Sequence, residues 1–219
     1  MRLLENTDIP NKIIRTYHCK NKIPSKVYEN IKEYAPNSEH IVFDDDECID
    51  FLKKYFDKEI VEAFKNFKIG PHKADLFRYC YLYKYGGIYF DIKTIILKRI
   101  EEIFYKNYNY TVLAINENYI YQGIIACQQN NKIFPELIQH IIKNVHNPDY
   151  QKHTKFMREK LKKQNIHKNW HLFKEVSLSK ENCENKLDRY GYCTFILNEK
   201  NEKIFKTRWW DYPYGKDWN

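Results

Sequence analysis

Apolar residues recur along this chain in two rhythms. Val27, Ile31 and Tyr34 stand at helical spacing behind Pro24 and predict a helix over 24–34, while 13–17 and 40–43 are short apolar runs that read as strands. Asp44, Asp45 and Asp46 supply a cap and first-turn acids for a helix carrying Cys48, Phe51, Leu52 and Tyr55. A further helix is expected over 58–67 and another over 72–85, the latter stopped by Gly86-Gly87. Residues 88–91 read as a buried strand ending on an acid, followed by strands at 111–115 and 121–127. Helices over 133–145 and 150–163 come next, then a hairpin within 192–210 that turns at 198–201. Strands and helices alternate through the first half. The pattern predicts an α/β fold with a mostly parallel central sheet, helical flanks and a C-terminal β-hairpin. With 219 residues and no internal repeat, 1–219 is expected to form a single domain.

Composition narrows the class. A 43% hydrophobic share supplies a full core, and only 6 Gly and 7 Pro argue against disorder. The abundance of Lys, Asn, Ile and Tyr matches the codon usage of an AT-rich genome, as in some large DNA viruses and protists. A formal charge of +8 suits an anionic partner such as a nucleotide diphosphate, nucleic acid or an acidic membrane surface. The charges are dispersed, so no basic arm stands out. The six cysteines form no Cys-x-x-Cys pair and are all expected as thiols, which points to a reducing, cytoplasmic compartment. No stretch approaches the roughly 20 apolar residues that span a bilayer, and a soluble chain is expected.

The informative block runs from Lys73 to Lys93. Asp75 and Arg78 stand three apart and share a helix face. Gly86-Gly87 lets the chain reverse into a strand that delivers Asp91 at its C-terminal end. In open α/β sheets that edge is where ligands bind. Taken alone, Asp75 and Arg78 are more simply a surface ion pair; with Gly86-Gly87-Ile88-Tyr89-Phe90-Asp91 behind them they read as one cleft. The tyrosines at 79, 81, 83 and 85 read as packing. His167 and His171 are four apart, but no glutamate stands between them and no third ligand is evident, so surface histidines are expected.

This block resembles the glycosyltransferases with the sugar-binding DXD region, family 32 in the sequence classification, and more distantly the large glucosylating bacterial toxins. Asp75-x-x-Arg78, Gly86-Gly87-Ile88-Tyr89 and the Asp-x-Asp-like Asp91-Ile92-Lys93 carry the resemblance. Pro10-Asn11-Lys12-Ile13-Ile14 looks like the family's opening strand, and Gln122-Gly123-Ile124-Ile125-Ala126 occupies the place of a later one. The resemblance implies a GT-A-type, Rossmann-like domain that binds a UDP- or GDP-hexose and transfers the sugar, with retention, to a glycan, lipid or protein acceptor. Asp75, Arg78 and Asp91 match the catalytic positions. Tyr17 matches the aromatic stacked on the base, and Tyr89 and Asp91 the positions near ribose, diphosphate and metal. At the C-terminus Thr207 and Trp210 stand where the family closes over the diphosphate.

One departure matters: Lys93 stands where the family has its second Asp. An ammonium cannot ligate a divalent cation. Either Mn²⁺ or Mg²⁺ binds through Asp91, the diphosphate, waters and a C-terminal group, which is the expectation, or Lys93 itself neutralises the diphosphate and no metal is needed. Two other functions stand beside transfer. One is a degenerate transferase fold that binds nucleotide-sugar without turnover. The other is a basic nucleic-acid binder, which accounts for the charge but not for Asp75, Arg78 and Asp91.

Overall fold

The computed structural model describes residues 3–4, 6–146, 152–163, 169–178 and 193–207. Nine strands form one mixed sheet in the order β2-β1-β3-β6-β5-β7-β8-β9-β4. Strands β1 (Lys12–Thr16), β2 (Glu39–Phe43) and β3 (Gly87–Phe90) run parallel, linked through helices α1 (Ser25–Tyr34), α2 (Asp45–Tyr55), α3 (Lys58–Asn66) and α4 (Gly70–Tyr85). Then β6 (Ile120–Cys127) pairs antiparallel with both β3 and β5 (Asn109–Leu113), and β5 pairs parallel with β7 (Trp170–Leu178). The expected hairpin is β8 (Cys193–Leu197) and β9 (Lys203–Lys206), antiparallel around the 198–201 turn.

The short β4 (Ile95–Ile96) closes the far edge on β9. Only 91–94 separate β4 from β3, although the sheet order puts five strands between them. Laid flat, those strands would hold β3 and β4 about 29 Å apart, whereas the short link spans at most about 18 Å. The sheet therefore curls back on itself. This curl brings the end of β9 round to the segment that follows β3.

Alternation along the strands separates two cores. Ile88 and Phe90 pack on the inner side with Ile13, Ile124, Phe104, Phe173 and Phe205. Tyr89 points the other way, to the face covered by α2, α3, α4, α6 (Ile133–Lys143) and α7 (Lys152–Lys163), where Ile14, Phe77, Tyr81 and Phe134 pack. A short helix, α5 (Ile100–Ile103), borders the inner core. Helix α4 buries residues on every side, including Tyr79 and Tyr81, as a helix in the middle of a layer must. Asp44 caps α2 with a reciprocal capping box to Glu47, as the three acids predict.

Two expectations change. Strand β7 falls in a stretch with no clear alternation, and His171, expected at the surface, lies on it half-buried and paired with Glu199 at 3.3 Å. His167 lies outside the described residues. Cys19, Cys48, Cys80 and Cys127 are thiols, but Cys193 is disulfide-bonded. Disulfides follow where the fold brings sulfurs together, which spacing alone does not reveal. That bond removes the cysteine argument for a reducing compartment; Cys183 lies outside the described residues. No helix among the described residues is long and apolar enough to cross a membrane.

Gly86 ends α4 at φ +63°, its N–H bonded to the Leu82 carbonyl at 2.9 Å. A Cβ there would lie 2.6 Å from Gln129 N and 2.7 Å from the Cys127 carbonyl oxygen, both rigid backbone. Gly86→Ala is therefore expected to cost at least about 2 kcal/mol, from left-handed strain plus displacement of β6. Urea unfolding of the variant measures it, and an unchanged midpoint contradicts the packing described.

Candidate active site

Helix α4 and strand β3 are joined by the reversal at Gly86-Gly87, so the helix lies back across the strand it precedes. Because Tyr89 faces the helical side, Asp91, two residues on, emerges on that side too. Arg78 meets it there. Its Nη2 lies 3.0 Å from Asp75 Oδ1 and 3.2 Å from Asp91 Oδ1. Its Nη1 donates to the Gln122 carbonyl of β6 and its Nε to the Ala74 carbonyl at 3.1 Å. The guanidinium also stacks over the Tyr89 ring, 4.3 Å from the centroid. Tyr89 OH in turn lies 3.3 Å from Asp91 Oδ1 and 3.1 Å from Thr16 Oγ1.

Asp75 is fully buried, so it needs compensation on both sides. Arg78 provides one. His153 of α7 provides the other, with Nε2 2.6 Å from Asp75 Oδ2. Burial works to raise the Asp75 carboxyl, but Arg78 and His153 outweigh it and hold it below its ordinary value. An ionised carboxylate only accepts, so His153 Nε2 carries the proton of that bond.

The segment after β3 is pinned from below. Arg15, fully buried on β1, donates to the carbonyls of Asp91 at 3.1 Å, Ile92 at 3.0 Å and Thr94 at 3.4 Å. Burial lowers its guanidinium to about 10, which leaves it charged at neutral pH. Gly123 donates space: a Cβ there would sit 2.7 Å from Asp91 Oδ2. Lys93 Nζ lies 3.6 Å from the same oxygen, and both side chains are partly exposed, 25% and 20%. They form the open end of an otherwise sealed polar cluster.

The structure thus brings Asp75, Arg78, Tyr89, Asp91 and Lys93 together. Tyr17 ends up buried with Ile23, Val27 and Ile92, beside the cluster. Thr207 is buried at the end of β9, where the Ile95–Lys206 pairing sets it next to Thr94. Trp210 lies outside the described residues. Arg15, Gln122, Gly123 and His153 belong to the cluster without a motif that announces them; only Gln122 and Gly123 stood in a stretch with a family counterpart. Among the described residues the donors do not fit a metal held through Asp91. One carboxylate oxygen already faces Arg78 and Tyr89, and the other faces Lys93. Among the described residues no group of three His, Cys, Asp or Glu could hold a metal ion.

Comparison with known proteins shows what part of the chain is similar to. The family model described as "Glycosyltransferase sugar-binding region containing DXD motif" matches residues 23–110, from the start of α1 through α4 and β3 to β5. Over this stretch, less than half of the chain, the sequence is similar to a glycosyltransferase sugar-binding region. An uncharacterized glycosyltransferase of Acanthamoeba polyphaga mimivirus is 30% identical over 129 residues, 56% of this chain and 49% of that protein. The initiation-specific alpha-1,6-mannosyltransferase of Candida albicans is 34% identical over 80 residues, 35% of this chain and 20% of its own length. Its Saccharomyces cerevisiae namesake is 36% identical over 70 residues, 31% of this chain and 15% of its own. The chain therefore spans about half or less of these relatives. Among solved structures, the PaToxG glycosyltransferase aligns over 70% of this chain and 68% of its own at 15% identity and a TM-score of 0.47.

Removing His153 leaves one face of the buried Asp75 carboxylate bare beside the Arg78 cluster. His153→Ala is expected to cost about 1–3 kcal/mol in urea unfolding, and His153→Gln, which keeps a donor, less. Equal costs would show that the hydrogen bond does not matter. Acid acts on the same region. Burial foremost holds His72 and His140, which flank His153 in a small pocket, and also His40 (to about 4) and His171 below 6.5. Such groups take up protons more readily in the unfolded chain, so stability is lost as pH falls through 6.5. Asp75, depressed in the fold, adds a second loss below 3.8. Denaturation midpoints should fall steadily from pH 7 to 5; a rise would contradict the burial of these histidines.

Proposed function

We propose that this chain transfers a hexose from a UDP- or GDP-sugar to a glycan, lipid or protein acceptor with retention of anomeric configuration. The observation that carries the proposal is the convergence of Asp75, Arg78 and Asp91, inside the matched sugar-binding region, on one half-open cluster. Carboxylate and guanidinium groups make directional bonds to vicinal hydroxyls, which suits them to hold a sugar ring. In transfer, the bond from C1 to the diphosphate oxygen breaks and its electron pair leaves with the diphosphate. The acceptor oxygen bonds to C1 on the same face, and its proton leaves with the diphosphate. An oxocarbenium-like C1 beside Asp91 gains from the carboxylate's charge, which acts in a site largely closed to water.

Two of the relatives are named as mannosyltransferases, and mannose is therefore the first sugar to try. A binder without turnover is the competing reading, and Lys93 in place of an acid is what favours it.

The test is a panel of UDP- and GDP-sugars, each with Mn²⁺, Mg²⁺ or EDTA, read by thermal shift and by release of nucleotide. One donor should raise the melting temperature and be slowly hydrolysed. Asp91→Asn should lower that turnover by at least about 100-fold while leaving the melting temperature of the free protein close to wild type. Stabilisation without turnover by any donor would leave the degenerate binder; turnover indifferent to Asp91→Asn would remove the assigned site.

A further inference from the structure

Three buried or half-buried cations surround Asp91, and two of them are spent. Arg78 is 2% exposed and engaged with Asp75, Asp91 and the Gln122 carbonyl. Arg15 is fully buried and holds the carbonyls of the 91–94 segment. Lys93 differs. Its ammonium stands at the open end, 3.6 Å from Asp91 Oδ2, beyond hydrogen-bond distance, on a segment that Arg15 makes rigid.

We infer that the Lys93 ammonium takes the charge-neutralising part of a divalent cation at this site, so that nucleotide diphosphate binds without metal. This rests on the transferase reading above and names how the site receives its donor. The charge balance supports it. Exchanging a carboxylate for an ammonium raises the local charge by two, which is the charge of the ion that a second carboxylate would help to hold. A cation added beside Lys93 would meet repulsion from the ammonium and find both Asp91 oxygens facing other groups. An ammonium offers three donors and no acceptor, so it can bond non-bridging diphosphate oxygens directly. When the sugar C1–O bond breaks, the electron pair moves to the diphosphate, and Lys93 stands to stabilise the added charge there.

The experiment is titration calorimetry of the full chain with UDP and GDP, in EDTA and in Mn²⁺, for wild type, Lys93→Ala, Lys93→Arg and Lys93→Asp. Wild type should bind one nucleotide with equal affinity in EDTA and Mn²⁺. Lys93→Ala should bind it about tenfold more weakly. Lys93→Arg should recover most of that loss, and Lys93→Asp should bind only when Mn²⁺ is present. Thermal melts of each variant establish that it is folded. Wild-type binding that needs Mn²⁺ overturns the inference and leaves the transferase reading standing, as does undiminished binding by folded Lys93→Ala. Absence of binding by wild type to either nucleotide in both conditions overturns both.

Discussion

A guanidinium that is almost completely sealed from water cannot stand alone, and the architecture around Arg78 follows from that constraint. Leaving it unpaired would cost several kcal/mol, so two carboxylates, two main-chain carbonyls and an aromatic face converge on it. These partners come from α4, from β3 and the residue that follows it, and from the more distant β6. Each can reach only if Gly86-Gly87 folds the helix back over its own strand and if β6 lies beside β3. The ion cluster and the backbone geometry are thus mutually dependent: the core fixes the distances, and the buried charges reject packings in which those distances differ. Asp75 extends the same logic one shell outward, because its burial in turn demands His153 from α7.

Much of this was legible in the sequence where the cause is local. The cap of α2 follows from Asp44 and Glu47, and the stop of α4 from a glycine with left-handed backbone. The strand after it is apolar because both its faces are covered. Asp75, Arg78, Tyr89, Asp91 and Lys93 were found together because spacing on one helix and one strand is enough to bring them together. What could not be read was what depends on distant chain segments. Strand β7 shows no clean alternation because its neighbours, not its own pattern, decide its pairing with β5. His153 looks like any histidine on a lysine-rich helix until α7 is laid against α4. Arg15 reads as one polar residue in a strand, although it is among the most deeply buried side chains in the molecule. Cys193 carries a bond that no local motif marks.

The two buried arginines divide the work in a way that bears on function. Arg78 satisfies side-chain charges, and its partners Asp75 and Asp91 are groups able to bind a sugar. Arg15 satisfies main-chain carbonyls, and its effect is to make the 91–94 segment stiff. Stiffness there matters because the curl of the sheet carries the end of β9, with Thr207, round to the same segment. The C-terminal end of β9 thereby comes alongside the segment that follows β3. A fixed segment at that meeting point lets exposed side chains such as Lys93 hold their position before a ligand arrives, and preorganised charge stabilises a developing anion without the cost of reorienting solvent.

Pairing of Lys93 with Asp91 also limits what else the site can accept. In a site of two carboxylates, a metal ion is what makes an approaching diphosphate tolerable, and its loss leaves net repulsion. Here the carboxylate is already balanced, first by Arg78 and then by Lys93, so the cluster presents no net negative face to an anionic ligand. The same balance disfavours a free divalent ion, which would have to displace an ammonium held on the same chain at high effective concentration. A covalently tethered cation cannot dissociate with the product, however, and a strongly held diphosphate would slow turnover. The 3.6 Å separation from Asp91, an ion pair without a hydrogen bond, means the ammonium gives up no hydrogen bond to that carboxylate when it turns to an anionic ligand.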